Sequence, residues 1–178
     1  VHPATLCAAA RRGTALLRSA RRCALRGAVP GHAIRRVPCG YLCAAGRRCS
    51  ALLAVGAHAD IAVLDLATAN AENYTMLANS INDEFGKLDG LVHNAAIIGD
   101  RFSIEQFDAV VWQRVIHVNV TASFALTQVL LPLLHQSDDA SVIFTSSSVG
   151  RIGRAHWGAY AVSKFAIEGL SQVLADEH

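Results

Sequence analysis

Short apolar runs alternate with helical patterns from residue 60 onward, and this alternation restricts the possible folds more than any other feature. Runs typical of buried parallel strands occur at 61–66, 88–96 (where the strand runs into a turn) and 141–145. A helix ending near residue 86, a long helix over 104–134 and a last helix over 157–175 are predicted between and after them. Strands that alternate with helices in this way indicate an α/β fold with a parallel sheet.

Local signals predict the helix ends. Four apolar residues share one face of the first helix: Tyr74, Leu77, Ile81 and Phe85. Gly86 comes directly after them and is placed to end that helix. Ser103-x-x-Gln106 has the spacing of a capping box, so the long helix is expected to begin there.

A membrane-spanning segment is the first alternative for the long helix. Residues 115–134 contain no Asp, Glu, Lys or Arg and are long enough to cross a bilayer. They also contain several polar side chains and Pro132, which favour a buried helix of a soluble domain. We therefore expect no membrane partner.

The first 59 residues differ in composition from the rest of the chain. They contain ten Arg and no acidic residue, a net charge of +10, whereas residues 60–178 carry a net charge of −8. All five Cys precede residue 60, and all six Phe and both Trp come after it. We therefore predict two parts, an unassigned basic Arg/Ala/Cys-rich segment at 1–59 and a folded domain at 60–178.

Several interpretations of residues 1–59 stay open. Out-of-frame translation of GC-rich DNA is the leading hypothesis, and a transit-like extension, a disordered segment and an unrecognised structural segment are the alternatives. The odd number of Cys and their spacing match neither a disulfide framework nor a zinc site. Arginine pairs could neutralise phosphates as a basic arm for nucleic acid, but no recognition module is present, so no nucleic-acid partner is expected.

Polar residues stand at the end of each predicted strand. They are Asp65, then His93 and Asn94, then Thr145 with the serines 146–148. Ligands of parallel α/β sheets bind outside the carboxyl ends of the strands, although such residues are also common in turns and helix caps. The histidines at 93, 117 and 135 are not joined by carboxylate or thiol spacing, so no metal site is predicted.

Four residues strengthen the functional interpretation of the strand ends. Tyr160 and Lys164 are four apart and therefore share a helix face. Ser147 stands thirteen residues before Tyr160 at a strand end. Asn119 lies inside the apolar helix, where a buried amide requires a partner.

These residues resemble the short-chain dehydrogenase/reductase family, and within it the YciK-type branch. Ser147, Tyr160 and Lys164 have the family's Ser-x12-Tyr-x3-Lys spacing, and Asn119 completes its tetrad. Three stretches carry the resemblance over residues 60–178: LDGLVHNAA, HVNVTASFALTQ and TSSSVGRIGRAHWGAYAVSKFAIEG. The family's usual Asn-Asn-Ala-Gly is replaced by His-Asn-Ala-Ala, which keeps Asn94.

The resemblance implies an incomplete Rossmann-type, doubly wound parallel sheet and a role for each site residue. Tyr160 is expected to be the acid–base group, Ser147 to hold the substrate oxygen and Asn119 to anchor water of a proton relay. Lys164 is expected to bind the nicotinamide ribose, and Tyr160 is also expected among the cofactor-binding residues. Asp65 is expected to meet the adenine, and the turn of Asn94, Ala95 and Ala96 the cofactor's ribose side.

The pairing of Tyr160 with Lys164 also has a physical reason. Transfer of a hydride to a carbonyl carbon requires a proton donor for the oxygen, and an unperturbed tyrosine with a pKa near 10 is a poor acid–base group at neutral pH. An ammonium about 4 Å away supplies about 4 kcal/mol at an effective dielectric near 20, which stabilises a deprotonated phenol.

One expected motif is missing. The family's Thr-Gly-x-x-x-Gly-x-Gly turn, whose amides receive the cofactor pyrophosphate, should precede Asp65, yet no two glycines before Asp65 are separated by a single residue. The choice between NAD and NADP is therefore not readable. In the doubly wound order, the strand near 61 should also be separated from the strand near 90 by two strands that residues 1–59 do not visibly encode, so it could lack partners.

The sequence therefore predicts an NAD(P)-dependent oxidoreductase of a small carbonyl or secondary alcohol. Its activity is expected to be impaired, because the glycine-rich turn is missing and the family places its main substrate-covering region after the last helix. The alternative is a non-catalytic remnant that associates through helices 104–134 and 157–175, which are also the expected surfaces of a homo-oligomer. A cytoplasmic location is expected from the resemblance.

Overall fold

The computed structural model describes residues 5–9, 41–44 and 60–178. The strands are β1 (Thr5–Ala9), β2 (Tyr41–Ala44), β3 (Asp60–Val63), β4 (Gly90–His93) and β5 (Ser141–Phe144). The main helices are α1 (Ala71–Phe85), α2 (Ala109–Ile116), α3 (Ala122–Leu134) and α4 (Gly158–Glu177). A π-helical turn, His117–Thr121, joins α2 to α3.

All five strands form one sheet in the order β3-β1-β2-β4-β5. β2, β4 and β5 are parallel neighbours, with Gly90 of β4 opposite Tyr41 on one side and Ser141 on the other. β1 is antiparallel to both β2 and β3, so β3 runs in the same direction as β2, β4 and β5. The sheet is thus an incomplete Rossmann-type sheet with one N-terminal strand that does not match a doubly wound fold.

The expectation that the strand near residue 61 lacks partners is wrong. β1 and β2 lie between β3 and β4, where the doubly wound order places two strands. The sequence prediction missed both strands because each is short and lies within residues 1–59, where no clear hydrophobic periodicity marks a strand. β2 takes the place next to β4 that the first strand of such a fold occupies, and it has the expected parallel direction.

α1 and α3 pack together beside the sheet and enclose the core. The core is formed mainly by the apolar faces of these helices and by β4, including Tyr74, Leu77, Ile81, Leu91, Leu126 and Leu130. Asn70 caps α1 by accepting a hydrogen bond from the Asn73 N–H, and Asn73 returns one to the Asn70 N–H. Gly86 ends the helix at φ 70°, in the left-handed region that glycine adopts without strain. The predicted helix and its end are confirmed.

The long helix begins later than predicted. The Ser103 hydroxyl donates to the Gln106 side chain at 3.2 Å instead of capping a helix, and only a single 3₁₀ turn comes next. Phe107 is extended, and the Asp108 carboxylate accepts the N–H groups of Val110 and Val111 at 2.7 and 2.9 Å. Asp108 is therefore the true N-cap, because an exposed carboxylate can take two unpaired N–H groups of a first turn.

Residues 109–134 are the one stretch in the described part of the chain that is long and apolar enough to span a membrane. Val115, Val118, Ala122, Leu126 and Leu130 are nevertheless buried inside the protein. This burial favours the interpretation of a core helix. The π-helical turn in its middle was not predicted.

Candidate active site

Thr145 joins the carboxyl ends of β4 and β5. Its N–H donates to the His93 carbonyl at 2.8 Å, and its hydroxyl donates to the Asn94 side-chain oxygen at 3.0 Å. Its carbonyl accepts a 2.7 Å hydrogen bond from the Lys164 ammonium. The parallel pairing thus brings together the polar residues that follow β4 and β5, and Lys164 connects α4 to them.

Lys164 is the charged side chain at the centre of this arrangement. It is only 3% exposed, and its nitrogen lies 5.6 Å from the centre of the Tyr160 ring. Burial lowers the pKa of Lys164, because the charged ammonium loses water that one carbonyl bond does not replace. Tyr160 is half-buried, and its hydroxyl makes no hydrogen bond within the described ranges. The predicted phenol–ammonium pair is therefore present on one face of α4.

Ser147 leads from β5 into a short 3₁₀ turn, Ser148–Gly150, that packs on α4. A Cβ atom on Gly150 would lie 2.9 Å from Lys164 Cβ and 3.0 Å from its backbone carbon. The close approach therefore requires glycine at this position. Ser147 is half-buried, and its hydroxyl has no hydrogen-bond partner in the described part of the chain. The turn holds this free hydroxyl at the β5 end, beside the segment of α4 that carries Lys164.

Asn119 lies in the π-helical turn and is 1% exposed. Its side-chain oxygen accepts the Ile97 N–H at 2.8 Å, and its side-chain nitrogen donates to the Ile97 carbonyl and to the Ser163 hydroxyl, each at 2.9 Å. The Ser163 hydroxyl in turn donates to the Tyr160 carbonyl at 2.8 Å. Asn119 thus connects the segment after β4 with the turn of α4 that carries Tyr160.

The predicted cofactor-binding residues fall into two groups. Asn94, Ala95 and Ala96 come directly after β4, and the Asn94 side-chain oxygen accepts the Thr145 hydroxyl. Asp65 comes after β3, which is separated from β4 by two strands, and its exposed carboxylate accepts the Ala67 N–H at 3.0 Å. The structure therefore places Asp65 apart from the other site residues.

Sequence reasoning missed several residues of this site. Ile97 and Ser163 are hydrogen-bond partners of Asn119, and the part of Thr145 that meets Lys164 is a backbone carbonyl, which no side-chain motif can indicate. Trp157 lies 5.8 Å from Tyr160 between ring centres, and the Arg101 guanidinium lies 4.1 Å from the centre of a Trp157 ring. Arg101 and Trp157 thus form one side of the site next to the phenol.

Comparison with known proteins agrees with this geometry. The model of the short chain dehydrogenase family matches residues 40–178, starting one residue before β2. The uncharacterized oxidoreductase YciK of Escherichia coli K12 is 56% identical over 116 residues, which cover 65% of this chain and 46% of that protein.

Two solved structures are also similar. A short chain dehydrogenase from Pseudomonas syringae has a TM-score of 0.65 at 59% identity and covers 65% of this chain and 48% of its own. A short chain dehydrogenase from Shigella flexneri 2a, in complex with NADP, has a TM-score of 0.64 at 55% identity with the same coverage of both chains.

The fold and the family match define a Rossmann-type protein of the short chain dehydrogenase class, in which Tyr160 and Lys164 share one face of α4. The chain belongs to the short-chain dehydrogenase/reductase family and is similar to the YciK branch, as the sequence predicted. It spans about half the length of these three relatives.

Proposed function

We propose that this chain is an NAD(P)-dependent oxidoreductase that interconverts a small carbonyl compound and the corresponding secondary alcohol. One observation carries the proposal: the buried Lys164 ammonium donates to the Thr145 carbonyl at 2.7 Å, at the joined ends of β4 and β5, and lies 5.6 Å from the centre of the Tyr160 ring. The hydroxyl of that ring has no protein partner within the described ranges. Burying a cation costs desolvation free energy, so a buried lysine indicates a structural or chemical role. Lys164 lies at the strand ends, where such sheets bind ligands.

In the reductive direction, the carbonyl carbon gains a hydride and the carbonyl oxygen gains a proton from Tyr160. The reduced nicotinamide dinucleotide supplies the hydride when it is bound. The Ser147 hydroxyl holds the substrate oxygen, because it has no hydrogen bond to give up within the described residues. Lys164 stabilises negative charge on the Tyr160 oxygen, and Asn119 anchors a water molecule of the proton relay.

The residues around the β4 end fit the ribose side of such a cofactor. The Lys164 ammonium has three hydrogens and uses one on Thr145, so two would remain for ribose hydroxyls. Asn94 to Ala96 form the adjoining segment after β4. Asp65 follows β3, two strands away, and would supply a carboxylate for the adenine. NADP is the first choice between the two dinucleotides because it is bound in the Shigella flexneri relative.

Titration of the whole chain with NADPH and NADH, followed by protein fluorescence, tests the proposal. We expect saturable binding by the wild-type chain and by both Tyr160→Phe and Tyr74→Phe. NADPH-dependent reduction of a panel of ketones and aldehydes is expected to fall at least about 100-fold in Tyr160→Phe, the usual minimum for loss of an acid–base group. Tyr74→Phe is the matched control, because the Tyr74 hydroxyl is buried in α1 without a hydrogen-bond partner among the described residues.

Absence of NADPH and NADH binding by the wild-type chain would contradict the proposal and favour the second candidate, a non-catalytic remnant that associates through its helices. That candidate has its own support in exposed apolar side chains. Phe124 of α3 is 49% exposed, and Val162 and Phe165 of α4 are each 45% exposed. Aromatic residues exposed to this extent favour a contact surface of a homo-oligomer. Sedimentation of the wild-type chain and of Phe124→Gln separates an oligomer from a monomer.

A further inference from the structure

A chain of buried hydrogen bonds leads from the end of β4 to the π-helical turn. The His93 ring nitrogen Nε2 lies 2.8 Å from the Thr127 hydroxyl, which donates to the Ser123 carbonyl at 2.9 Å. The Ser123 hydroxyl donates to the Asn119 carbonyl at 3.3 Å. These four residues, His93, Thr127, Ser123 and Asn119, are each at most 6% exposed. The family match assigns no role to His93, Thr127 or Ser123.

The proton positions in this chain of bonds can be derived by counting hydrogens. The Thr127 hydroxyl has one hydrogen, and the Ser123 carbonyl can only accept, so that hydrogen points to Ser123. Thr127 must then accept from His93, whose hydrogen is therefore on Nε2. Burial lowers the pKa of His93 to about 4, so the ring is neutral at pH 7. His93 is thus fixed as one tautomer, with its ring stacked at 4.8 Å on Phe144.

The other end of the chain of bonds is equally constrained. Both hydrogens of the Asn119 amide are donated, to Ile97 and Ser163, and its oxygen accepts the Ile97 N–H. A shift of the π-helical turn would break these bonds together. Because Ser163 is bonded to the Tyr160 carbonyl, such a shift would also disturb the turn of α4 that carries the phenol.

A π-helical turn needs support from outside the helix backbone. It is rarer than the α-helical form, and in single turns it is associated with functional sites. Here the Ser123 and Thr127 hydroxyls each bond to the carbonyl four residues earlier, which bends helices and competes with regular geometry. The His93 N–H donates to the Thr127 hydroxyl, whose own hydrogen points to the Ser123 carbonyl, and so completes this support.

We propose that His93 is a positioning residue: through Thr127 and Ser123, it holds the π-helical turn in the form that presents Asn119 to Ile97 and to the turn of α4 bearing Tyr160. The reaction served by this arrangement rests on the proposed function. The positioning itself is a property of the chain alone and can be measured without cofactor or substrate.

Two matched pairs of variants test the proposal in the whole chain. Thr127→Val keeps the shape of the side chain and removes the hydroxyl, whereas Thr127→Ser keeps the hydroxyl. His93→Leu removes the N–H donor, whereas His93→Gln keeps a donor at a similar reach. The readout is hydrogen exchange of the Ile97 amide, which is bonded to Asn119, compared with the amide of Leu77 in α1.

We expect Ile97 exchange to accelerate at least tenfold in Thr127→Val and His93→Leu, with Leu77 exchange within twofold of wild type. Thr127→Ser and His93→Gln are expected to restore slow Ile97 exchange. Equal acceleration at Ile97 and Leu77, or no change at Ile97, would overturn the proposal, since the first is general destabilisation and the second is absence of coupling.

Nitrogen NMR of the His93 ring in the wild-type chain tests the same proposal without any variant. The proposal can therefore be tested even if a variant does not fold. We expect a neutral ring with its hydrogen on Nε2, and a hydrogen on Nδ1 would overturn the assignment. If no form of the chain binds NADPH, the proposed function fails, while a selective effect on Ile97 exchange would still support the positioning role. The two failures are therefore distinguishable.

Discussion

Acidification should destabilise this protein through His93 by an amount that the structure predicts. The ring is 6% exposed, and the groups that contact it, the Thr127 hydroxyl and the Phe144 ring, are uncharged. Burial lowers the pKa of His93 to about 4, against about 6.5 in an unfolded chain. Between these pH values the unfolded state binds more protons than the folded state, so the free energy of unfolding rises with pH. The contribution of the neutral His93 is therefore lost as the pH falls from 6.5 to 4.

The expected loss between pH 7 and pH 5 is about 2 kcal/mol from His93 alone, approaching about 3 kcal/mol near pH 4. Urea denaturation followed by fluorescence of Trp112 and Trp157 measures it. Most carboxylates remain ionised at pH 5, which makes that value preferable to a lower one. His93→Gln is the matched control, because glutamine does not titrate and every other titratable group is shared.

The informative quantity is the difference between the two pH dependences. We expect the wild-type chain to lose about 2 kcal/mol more than His93→Gln over this interval, whatever the absolute stability of the variant. Parallel pH dependences for the two proteins would refute a buried, neutral His93, and with it the tautomer on which the positioning role depends.

Three further perturbations have defined outcomes. Gly150→Ala should lower the free energy of unfolding by about 1–3 kcal/mol and weaken NADPH binding, because the added Cβ would lie 3.0 Å from the Lys164 backbone. Gly153→Ala is the control: a Cβ there meets open space, so the variant should be neutral in urea denaturation. Leu126→Ala, at a core position 1% exposed, should cost about 2–5 kcal/mol in the same assay. Burial lowers the pKa of Lys164, so the free energy of unfolding of the wild-type chain should rise as the pH increases from that lowered pKa towards about 10.4. Urea denaturation at alkaline pH measures this rise. It should disappear in Lys164→Met and persist in Lys87→Met, which removes an exposed ammonium instead.

Features that depend on neighbouring residues could be predicted from the sequence. α1 has its apolar face and its terminal Gly86 within one short stretch of the chain, and both were predicted correctly. The pairing of Tyr160 with Lys164 can be derived from helix geometry alone, because residues four apart share a face. The parallel direction of β4 and β5 does not depend on neighbouring residues, but the order of strands and helices along the chain indicates it.

Features that depend on contacts between distant segments could not be predicted from the sequence. Ser103 and Gln106 have the spacing of a capping box, but their side chains bond to each other, and Asp108 caps the helix instead. The π-helical turn is stabilised by bonds from Asn119 to Ile97, 22 residues away, and from His93 to Thr127, 34 residues away. Helical periodicity carries no information about such partners, so the interruption was not predictable.

The strands from residues 1–59 illustrate the same distinction at the level of the sheet. β1 pairs with β3 across more than fifty residues, and β2 pairs with β4 across nearly as many. Pairings of this separation depend on the whole sheet rather than on local propensity. The direction of β1, antiparallel to both neighbours, is the part of the fold that departs from a doubly wound sheet.

The proposed site therefore divides into two halves, an acid–base half and a cofactor half, which depend on different segments of the chain. The acid–base half lies within 93–164, where β4, β5, the π-helical turn and α4 are held together by the bonds of Thr145, Asn119 and Lys164. The cofactor half depends on β3 with Asp65 and on the stretch between β2 and β3, where the sequence lacks the glycine-rich turn that receives a pyrophosphate. NADPH affinity consequently reports on both halves, whereas Ile97 exchange reports on the acid–base half alone. Weak NADPH binding combined with slow Ile97 exchange would place the defect in the cofactor half and leave the arrangement around Asn119 intact.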